Sequence, residues 1–450
     1  MGLGTPPTDV AAAGFAPTGD DTSDVGLVRV LLSQLTRAHA MSRSAINLVP
    51  SETRLSPLAS VPLRSDFYNR YFFNESLDPT FWQFRGGQPV CHFETDVAIP
   101  SLRRLADADH VNLRPISGMS AMLVAMAGLG GQPGRTVVSI SQRSGGHYAT
   151  AMVAQRLGFE SVTIPVERGV VDPACLRDAL ELHRPALVYL DLQNSRHVLD
   201  VAPVVAAIAK WSPETLLHVD CSHTLGLVLG HALPNPLDLG ADTMGGSTHK
   251  TFPGPHKGVL FTRRTDLNER LHEAQFSLLS SHHFAETIAL GLAAVEFEHF
   301  GAEYARRVIS NAQVFEAALA AVGFDVVDDG DGPTRTHQVW ARAGDAEHTD
   351  VLAETLYHAG IRVNIQVDLP GADGPVLRLG VNEVTFEGAG PAAMELLANA
   401  FVCARDRQIG GLICRVSEIR AAMDRPCYFV EFDNGQPAGS APDGPDSWRP

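Results

Sequence analysis

The sequence has 450 residues, of which 35 are Lys or Arg and 51 are Asp or Glu, giving a formal net charge of −16. Hydrophobic residues make up 45% and charged residues 19%, an ordinary globular composition that excludes a mainly disordered or fibrous chain. A surface this acidic argues against nucleic acid or an anionic membrane as the main partner, because both require a cationic face.

Cysteine use and the two chain ends indicate the compartment. The 6 cysteines form no Cys-x-x-Cys pair, which predicts reduced thiols and a cytoplasmic protein. Residues 1–25 and 436–450 are rich in Gly, Ala, Pro and Asp, and we predict a flexible arm and a flexible tail there. The first segment lacks the pattern of a secretory signal, and no apolar run reaches the roughly 20 residues of a membrane span.

Short apolar runs alternate with helix-length segments between about residues 100 and 265. This alternation predicts a mainly parallel sheet with helices on both faces, and such sheets gather functional residues at the carboxyl ends of their strands. The predicted strands are 110–113, 136–140, 161–166, 186–192, 216–220 and 258–262. Residues 265–323 have a helical pattern, and the mixed strands and helices after them predict a smaller α+β domain.

One lysine lies in the unusual segment GGSTHKTFPGPHKG, residues 245–258. A strand-like run leads into hydroxyl residues, Lys250 and then a loop with glycines and prolines. A lysine held at a strand end in a tight loop can be desolvated and lose its proton, after which it can form an imine with an aldehyde. A surface lysine in a turn is the ordinary alternative.

A carboxylate ends the predicted strand in the segment LLHVDCSHTLGLVLG. Asp220 can pair there with a cation such as the protonated ring nitrogen of a pyridine cofactor, which makes the ring an electron sink. A helix cap is the common alternative. Asp220 lies 30 residues before Lys250, which leaves room for one strand and its crossover, so both residues fit at one sheet edge.

A third segment, HVNLRPISGMSAMLVAMAGL, places Ser117, Gly118 and Met119 between a strand and a helix. Backbone N–H groups and hydroxyls at a helix N-terminus bind phosphate well, although an ordinary helix cap has the same residues. A phosphate cradle, a pyridinium partner and an imine lysine together describe a pyridoxal phosphate (PLP) site.

Eight motifs in order resemble those of the serine hydroxymethyltransferase family of PLP enzymes. THKTFPGPHKG resembles the family's T-H-K-T-x-x-G-P, and HVDCSHTLGLV resembles its D-x-x-H-x-x-G-L. LVPSETRLSP, NRY with the later RGG, PISGMSA, SGGHYAT, GIRVNIQV and VLRLGVNEVT resemble its other motifs. The order and rough spacing hold from about residue 45 to 405.

The resemblance implies the α/β architecture of fold type I PLP-dependent transferases, with a mainly parallel, seven-stranded-type sheet and a smaller α+β C-terminal domain. It implies an N-terminal segment, 26–70, that packs on a partner subunit, a PLP-binding domain, 71–310, and a small domain, 311–435. Because cofactor groups then come from two subunits, it also implies a homodimer or a higher homo-oligomer.

The resemblance implies roles for individual residues. Lys250 carries the cofactor as an imine, Asp220 pairs with its ring nitrogen, and His147 stacks on the ring. Ser51 and Arg378 hold the substrate carboxylate, a role for which a guanidinium is well suited. Further cofactor contacts are implied for Ser117, Gly118, Met119, His223, Ser247, His249, Ser281 and Tyr71, and further substrate contacts for Tyr71 and Arg85. On the residues alone, Arg378 is an ordinary strand arginine and His147 a core or loop histidine.

The sequence departs from the family mainly at the features that use tetrahydrofolate. Phe73 stands where the family has its catalytic glutamate, and Glu75 is our candidate replacement. Phe84 and Arg85 stand where the family has a tyrosine pair. His256 replaces an arginine, and 279–284 replaces a glycine-rich phosphate segment. The use of tetrahydrofolate is therefore in doubt, whereas the imine chemistry is not.

Two other chemistries are not expected. The histidines, among them His218, His223, His282 and His283, lack the spacing of metal ligands, so we expect no catalytic metal. Cys221 lies in an apolar neighbourhood, which raises a thiol pKa and leaves the thiol inert.

The leading hypothesis is an enzyme that makes or breaks the Cα–Cβ bond of a β-hydroxy-α-amino acid, using serine, threonine or glycine plus an aldehyde. It acts as an aldolase or transaldolase without folate. The alternatives are a folate-dependent hydroxymethyltransferase that uses Glu75, another PLP reaction such as transamination, and a non-catalytic binding protein. The aromatic segment 72–85 predicts a pocket for an aldehyde bulkier than a one-carbon unit.

Overall fold

The structure, a computed structural model, describes residues 24–71, 78–81, 83–328, 330, 332–423, 428–430, 432–433 and 436–437. Glu75 and Phe73, together with most of the predicted arm and tail, lie outside the described residues. The chain divides into two compact units, Met1–Ile46 and Asn47–Pro450. The described part of the first unit is mainly one helix, Asp24–Ser44.

The α-helices are α1 Asp24–Ser44, α2 Pro57–Ser60, α3 Ile99–Ala106, α4 Gly118–Leu129, α5 Thr150–Arg156, α6 Pro173–His183, α7 Ala202–Trp211, α8 Leu225–Leu229, α9 Thr265–Leu278, α10 Phe284–Ala321, α11 Ala346–His358, α12 Asn382–Phe386, α13 Pro391–Arg405 and α14 Ile409–Ala422. Short 3₁₀ segments are Val61–Arg64, Asp66–Asn69, Pro79–Phe81, Arg85–Val90 and Gln142–Ser144, and Phe93–Ala98 is a π-helical turn.

The β-strands are β1 Ile46–Asn47, β2 His110–Asn112, β3 Thr136–Ile140, β4 Glu160–Ile164, β5 Val166–Glu167, β6 Val170–Val171, β7 Leu187–Leu190, β8 Leu216–Asp220, β9 Thr243–Ser247, β10 Gly258–Thr262, β11 Asp325–Val326, β12 Gln338–Arg342, β13 Ile361–Arg362, β14 Asn364–Gln366, β15 Val376–Gly380, β16 Phe432–Asp433 and β17 Gln436–Pro437.

A seven-stranded sheet organises the second unit, in the order β2-β10-β9-β8-β7-β3-β4. Strands β4, β3, β7, β8 and β9 run parallel, and β10 pairs antiparallel with both β9 and β2. Every residue of β3, β7, β9 and β10 is buried, as expected for strands covered on both faces. The prediction of a mainly parallel α/β sheet with seven strands is therefore confirmed.

Three of the six predicted strands have the predicted bounds, namely β3, β8 and β10. Strands β2 and β7 are shorter than predicted, because residues at their ends leave the ladder. Strand β4 ends at Ile164 since Pro165 cannot donate a hydrogen bond to a neighbouring strand. The two residues that follow β7, Asp191 and Leu192, line the candidate site instead.

The long helix α10 joins the large sheet to a four-stranded antiparallel sheet in the order β11-β12-β15-β14. Helices α10 and α13 pack against each other on a core that includes Phe315 and Phe401, both fully buried. Helix α10 is continuous through residues 310 and 311, where the predicted domain boundary falls, so the domain bounds remain a prediction. Among the described residues, no helix is long and apolar enough to cross a membrane.

Candidate active site

Lys250 lies three residues after β9, in a turn that hydrogen bonds fix from three sides. The Thr53 hydroxyl donates to the Lys250 carbonyl at 2.5 Å, and the hydroxyl of Thr251 donates to the carbonyl of His223 at 2.9 Å. The Tyr304 hydroxyl donates to the carbonyl of Thr251 at 2.9 Å. Burial lowers the pKa of Lys250 from 10.5 to about 8, so about a tenth of this amine is unprotonated at pH 7.

Lys250 and several predicted residues line one cavity. The lining residues are His147, Asp191, Leu192, Gln193, Asp220, Ser222, His223 and Lys250. The structure thus brings together the predicted imine lysine, the pyridinium partner, the stacking histidine and His223. They come from the carboxyl ends of β7, β8 and β9 and from the loop before α5, the edge where parallel sheets bind ligands.

The sequence has only three lysines, and their surroundings differ. Lys210 is exposed, with its Nζ 4.8 Å from the centre of the Trp211 ring. Lys257 is fully buried, and its Nζ donates to the carbonyl of His282 at 2.7 Å. Among the three lysines, Lys250 is the one that lines the cavity.

Asp220 ends β8 with a hydrogen-bond donor on each carboxylate oxygen. The Tyr189 hydroxyl donates to Oδ2 at 2.6 Å, and the backbone N–H of Ser222 donates to Oδ1 at 2.8 Å. Gly246 has φ +136°, and a Cβ there would lie 2.7 Å from Asp220 Oδ1. A glycine is therefore needed at position 246 for the carboxylate to keep its place.

His147 follows a tight turn whose position depends on Asp191. The backbone N–H of His147 donates to Asp191 Oδ2 at 3.2 Å, and the Thr150 hydroxyl donates to the same oxygen. Burial lowers the pKa of His147, so its ring is neutral near pH 7. A neutral ring can cover an aromatic cofactor without adding a positive charge.

Three buried polar atoms of the cavity residues have no hydrogen-bond partner in the described part of the chain. These atoms are His223 Nδ1, Asp191 Oδ1 and Gln193 Oε1. Burial raises the pKa of Asp191 well above its usual value and lowers the pKa of His223 well below its usual value, so both groups tend to be neutral. Unpartnered polar atoms beside the desolvated Lys250 and the side chain of Asp220 fit a polar aromatic aldehyde such as PLP.

The predicted phosphate cradle lies at the N-terminus of α4. Ser117 caps this helix, accepting the N–H of Ser120 at 3.1 Å while the Ser120 hydroxyl accepts the N–H of Ser117 at 2.8 Å. A Cβ on Gly118 would lie 2.0 Å from Ser247 Oγ, so these two residues are in close contact. The N–H of Ser247 donates to Ser222 Oγ at 2.9 Å, which connects the cradle to the cavity.

Arg378 is a buried cation in β15 with amide partners. It is 4% exposed, and it donates through Nε to Asn364 Oδ1 at 3.0 Å and through Nη1 to Asn194 Oδ1 at 2.5 Å. No carboxylate of the described residues forms an ion pair with it. Burial lowers its pKa from 12.5 to about 10, so it remains charged at pH 7. The group is therefore suited to an anionic ligand such as a carboxylate.

Ser51, the other predicted carboxylate contact, is half-buried in a segment attached to β15. The N–H of Gly380 donates to the carbonyl of Leu48 at 2.7 Å. Asn382 Nδ2 donates to Thr53 Oγ1 at 2.9 Å, and the same Thr53 contacts the Lys250 turn. These bonds hold the segment that carries Ser51 between β15 and that turn.

Other predicted residues lie outside the Lys250 cavity. Tyr71 is 47% exposed, with its ring centre 4.7 Å from that of Phe84, and Arg85 is exposed. Ser281 is half-buried in the link between α9 and α10. The ring of His249 lies 3.9 Å from that of His256. Met119 is exposed in the first turn of α4. Their roles stay predictions.

Metal and thiol chemistry receive no support from the described residues. No group of three or more His, Cys, Asp or Glu side chains in the described part of the chain is arranged to hold a metal ion. Cys221 is buried, and burial raises the pKa of its thiol, as the sequence predicted.

Sequence reasoning missed Tyr189, Asp191, Gln193 and the two amides that hold Arg378. Asp191 and Gln193 follow the carboxyl end of β7, so the strand-end rule could have found them. Tyr189 had no such signal, because a tyrosine inside an apolar strand is typical of a core residue.

The fold and the site together define an enzyme of the PLP-dependent kind, with Lys250 in a turn after a strand of a mainly parallel sheet. The family model "Serine hydroxymethyltransferase" matches residues 23–400, and the chain belongs to this family. The predicted resemblance is thus confirmed.

Relatives with transaldolase names match nearly the whole chain. L-threonine:uridine-5′-aldehyde transaldolases from an Amycolatopsis and a Streptomyces species are each 60% identical over 413 residues, covering 91% of this chain and 100% of each relative. Serine hydroxymethyltransferase from Pyrobaculum arsenaticum is 34% identical, and the match covers 79% of this chain and 83% of the relative.

A solved structure leads to the same class. The crystal structure of L-threonine transaldolase from Pseudomonas fluorescens, in its internal aldimine state, matches with a TM-score of 0.79 at 26% identity. The match covers 90% of this chain and 94% of that one. The chain is therefore a PLP-dependent enzyme of the transferase and aldolase kind with aldolase or transaldolase-type activity, as the leading hypothesis held.

Proposed function

We propose that this enzyme transfers the glycine unit of L-threonine to a nucleoside-5′-aldehyde, with uridine-5′-aldehyde as the first candidate. The Cα–Cβ bond of threonine breaks and acetaldehyde leaves. A new Cα–Cβ bond forms to the aldehyde carbon, giving a β-hydroxy-α-amino acid at the 5′ carbon of the nucleoside. The observation that carries the proposal is 60% identity over the full length of two relatives named for this reaction.

In this proposal, the side chains of the cavity bind the cofactor. Bound PLP supplies an electron sink for a bond at the substrate Cα. Lys250 provides the amine that holds the cofactor, Asp220 faces the ring nitrogen, and His147 covers one ring face. Ser117, Gly118, Met119, Ser247, His249, Ser281 and the partner's Tyr71 complete the cofactor contacts in this proposal.

Arg378 orients the amino acid in this proposal. Its guanidinium and Ser51 bind the carboxylate, and Tyr71 and Arg85 contribute further substrate contacts. Fixing the carboxylate would orient the bonds at Cα relative to bound PLP, and this orientation would select the bond that is broken. The two amide oxygens on Arg378 hold its plane without cancelling its charge.

We further propose that tetrahydrofolate takes no part in the reaction. Phe73 replaces the family's glutamate, and Phe84 with Arg85 replaces its tyrosine pair. The ring of Phe84 packs against Tyr71 and is 38% exposed, which suits contact with an organic aldehyde. The aromatic segment 72–85 then contributes to the aldehyde pocket.

The quaternary state and the compartment are proposals of the same kind. Tyr71, Phe81, Phe84 and Tyr148 are large exposed side chains, which favours a homodimer in which a second subunit covers them. The described cysteines, Cys91, Cys175, Cys221, Cys403 and Cys414, are all free thiols, which favours a reducing cytoplasm.

The test is turnover of L-threonine with uridine-5′-aldehyde, followed by mass spectrometry, with and without tetrahydrofolate. We expect acetaldehyde and the nucleoside β-hydroxy-α-amino acid in equal amounts, independent of folate. L-serine in place of L-threonine, and benzaldehyde in place of the nucleoside aldehyde, are the matched substrate controls. Strictly folate-dependent conversion of serine to glycine, with no nucleoside product, would overturn the proposal.

A further inference from the structure

Tyr189 is a buried residue of β7 whose hydroxyl contacts the carboxylate at the end of the next strand. The side chain is fully buried, and its hydroxyl oxygen lies 2.6 Å from Asp220 Oδ2. Strands β7 and β8 pair in parallel, with Tyr189 opposite His218. The hydroxyl therefore reaches diagonally across the pair, two positions beyond its own partner.

The neighbours of Tyr189 fix its ring in this direction. The ring of His218 stacks on it, with centres 4.7 Å apart and planes at 25°. His218 Nδ1 lies 2.7 Å from Thr243 Oγ1, which holds the histidine in turn. Burial lowers the pKa of His218 to about 4, so the ring is neutral near pH 7 and does not neutralise Asp220.

The Asp220 carboxylate can accept more hydrogen bonds than the described residues donate to it. An ionised carboxylate has about four acceptor sites, and in the described residues Tyr189 and the N–H of Ser222 occupy two of them. Burial raises the pKa of Tyr189 well above its usual value, so the phenol keeps its proton and acts as a donor. The two donors therefore hold the Asp220 carboxylate and leave acceptor sites for a further donor.

We propose that Tyr189 is a positioning residue that fixes the Asp220 carboxylate and aims it at the ring nitrogen of bound PLP. Tyr189 acts through Asp220, so its effect on cofactor binding requires the ring nitrogen of the cofactor. The Ser222 N–H fixes one carboxylate oxygen and the Tyr189 hydroxyl fixes the other, so the plane of the carboxylate is set from two sides. This inference does not depend on which aldehyde the enzyme accepts.

The experiment compares Tyr189→Phe with the wild type in the binding of two cofactors, one with the ring nitrogen and one without it. Full-length protein is stripped of cofactor and titrated with PLP, or with an analogue in which a C–H group replaces the ring nitrogen, and binding is followed by visible absorption. Since a hydrogen bond to a charged group contributes about 1.5–3 kcal/mol, we expect the Kd for PLP to rise about 10- to 100-fold in Tyr189→Phe. We expect no change for the analogue.

The matched control is Tyr428→Phe. Tyr428 is also buried, and its hydroxyl lies 3.4 Å from Glu303 Oε1, a carboxylate outside the cavity. We expect wild-type affinity for both cofactors in this variant. An equal loss for PLP and the analogue in Tyr189→Phe would make the hydroxyl merely structural and overturn the proposal, and so would an unchanged affinity for PLP.

A second variant covers the case in which Tyr189→Phe does not fold. Fluorotyrosine incorporated at position 189 keeps the ring and the hydroxyl but makes the phenol a stronger donor. We expect PLP to bind more tightly to this protein than to the wild type, while the affinity for the analogue is unchanged. Weaker or unchanged PLP binding would contradict the proposal.

Discussion

Two buried arginines of this protein differ in what neutralises them. Arg196 is 3% exposed and pairs with Glu316 at 2.7 Å, whereas Arg378, at 4% exposure, has amide oxygens as its partners. Burying a cation without a counter-ion is costly, and folding alone gives no reason for it. Arg196 therefore has its counter-ion within the fold, whereas Arg378 is free of a carboxylate partner in the described residues, as our proposal of a substrate carboxylate at this position requires.

The same contrast separates two buried lysines. Lys257 donates its Nζ hydrogen to the backbone carbonyl of His282 at 2.7 Å. Lys250 instead lines the cavity beside Asp220. Lys257 therefore has its hydrogen-bond partner within the fold, whereas Lys250 faces the cavity in which we propose that the cofactor binds.

The largest expected effect comes from Lys250→Ala. The variant loses the amine that binds the cofactor covalently, so we expect no visible imine absorption and no transaldol product. Reductive trapping with borohydride should attach PLP to the peptide that contains Lys250 in the wild type. Lys210→Ala is the matched control and should retain the absorption band and the activity. Attachment of PLP to Lys257, or full turnover by Lys250→Ala, would contradict the proposed difference between Lys250 and Lys257.

The second prediction sets the two arginines against each other in stability. Arg196→Gln leaves Glu316 buried without its cation, and we expect the free energy of unfolding to fall by about 3–5 kcal/mol. Arg378→Gln removes a desolvated cation that lacks a carboxylate partner, so we expect a change within about 1 kcal/mol. Denaturant unfolding of the cofactor-free proteins measures both. Equal losses would show that Arg378, too, is mainly structural.

The third prediction concerns pH. Only the unprotonated amine of Lys250 attacks an aldehyde, and its pKa is lowered from 10.5 to about 8. The rate at which the cofactor-free enzyme forms the imine with PLP should therefore rise about tenfold per pH unit below pH 8 and level off above it. Stopped-flow absorption between pH 6 and 10 measures this rate. A rate that still rises tenfold between pH 9 and 10 would indicate an ordinary lysine.

Sequence analysis found the candidate site residues whose motifs lie in one continuous segment. Strand β8 with Asp220, the turn with Lys250 and the cap at Ser117 each carry their signal within about ten residues. The contacts missed were those that depend on register or on distant segments. Tyr189 reaches Asp220 because of the β7–β8 pairing, and Asn194 meets Arg378 across a sequence separation of 184 residues. No local pattern encodes such partners.

The most direct test of the central contrast is binding of L-threonine and of L-threoninamide, which lacks the carboxylate charge. Absorption titration of the PLP-loaded enzyme should show about 100-fold tighter binding of threonine to the wild type. We predict that Arg378→Gln binds the two ligands within a few-fold of each other, while Arg196→Gln keeps the wild-type preference. An undiminished preference for threonine in Arg378→Gln would contradict the account.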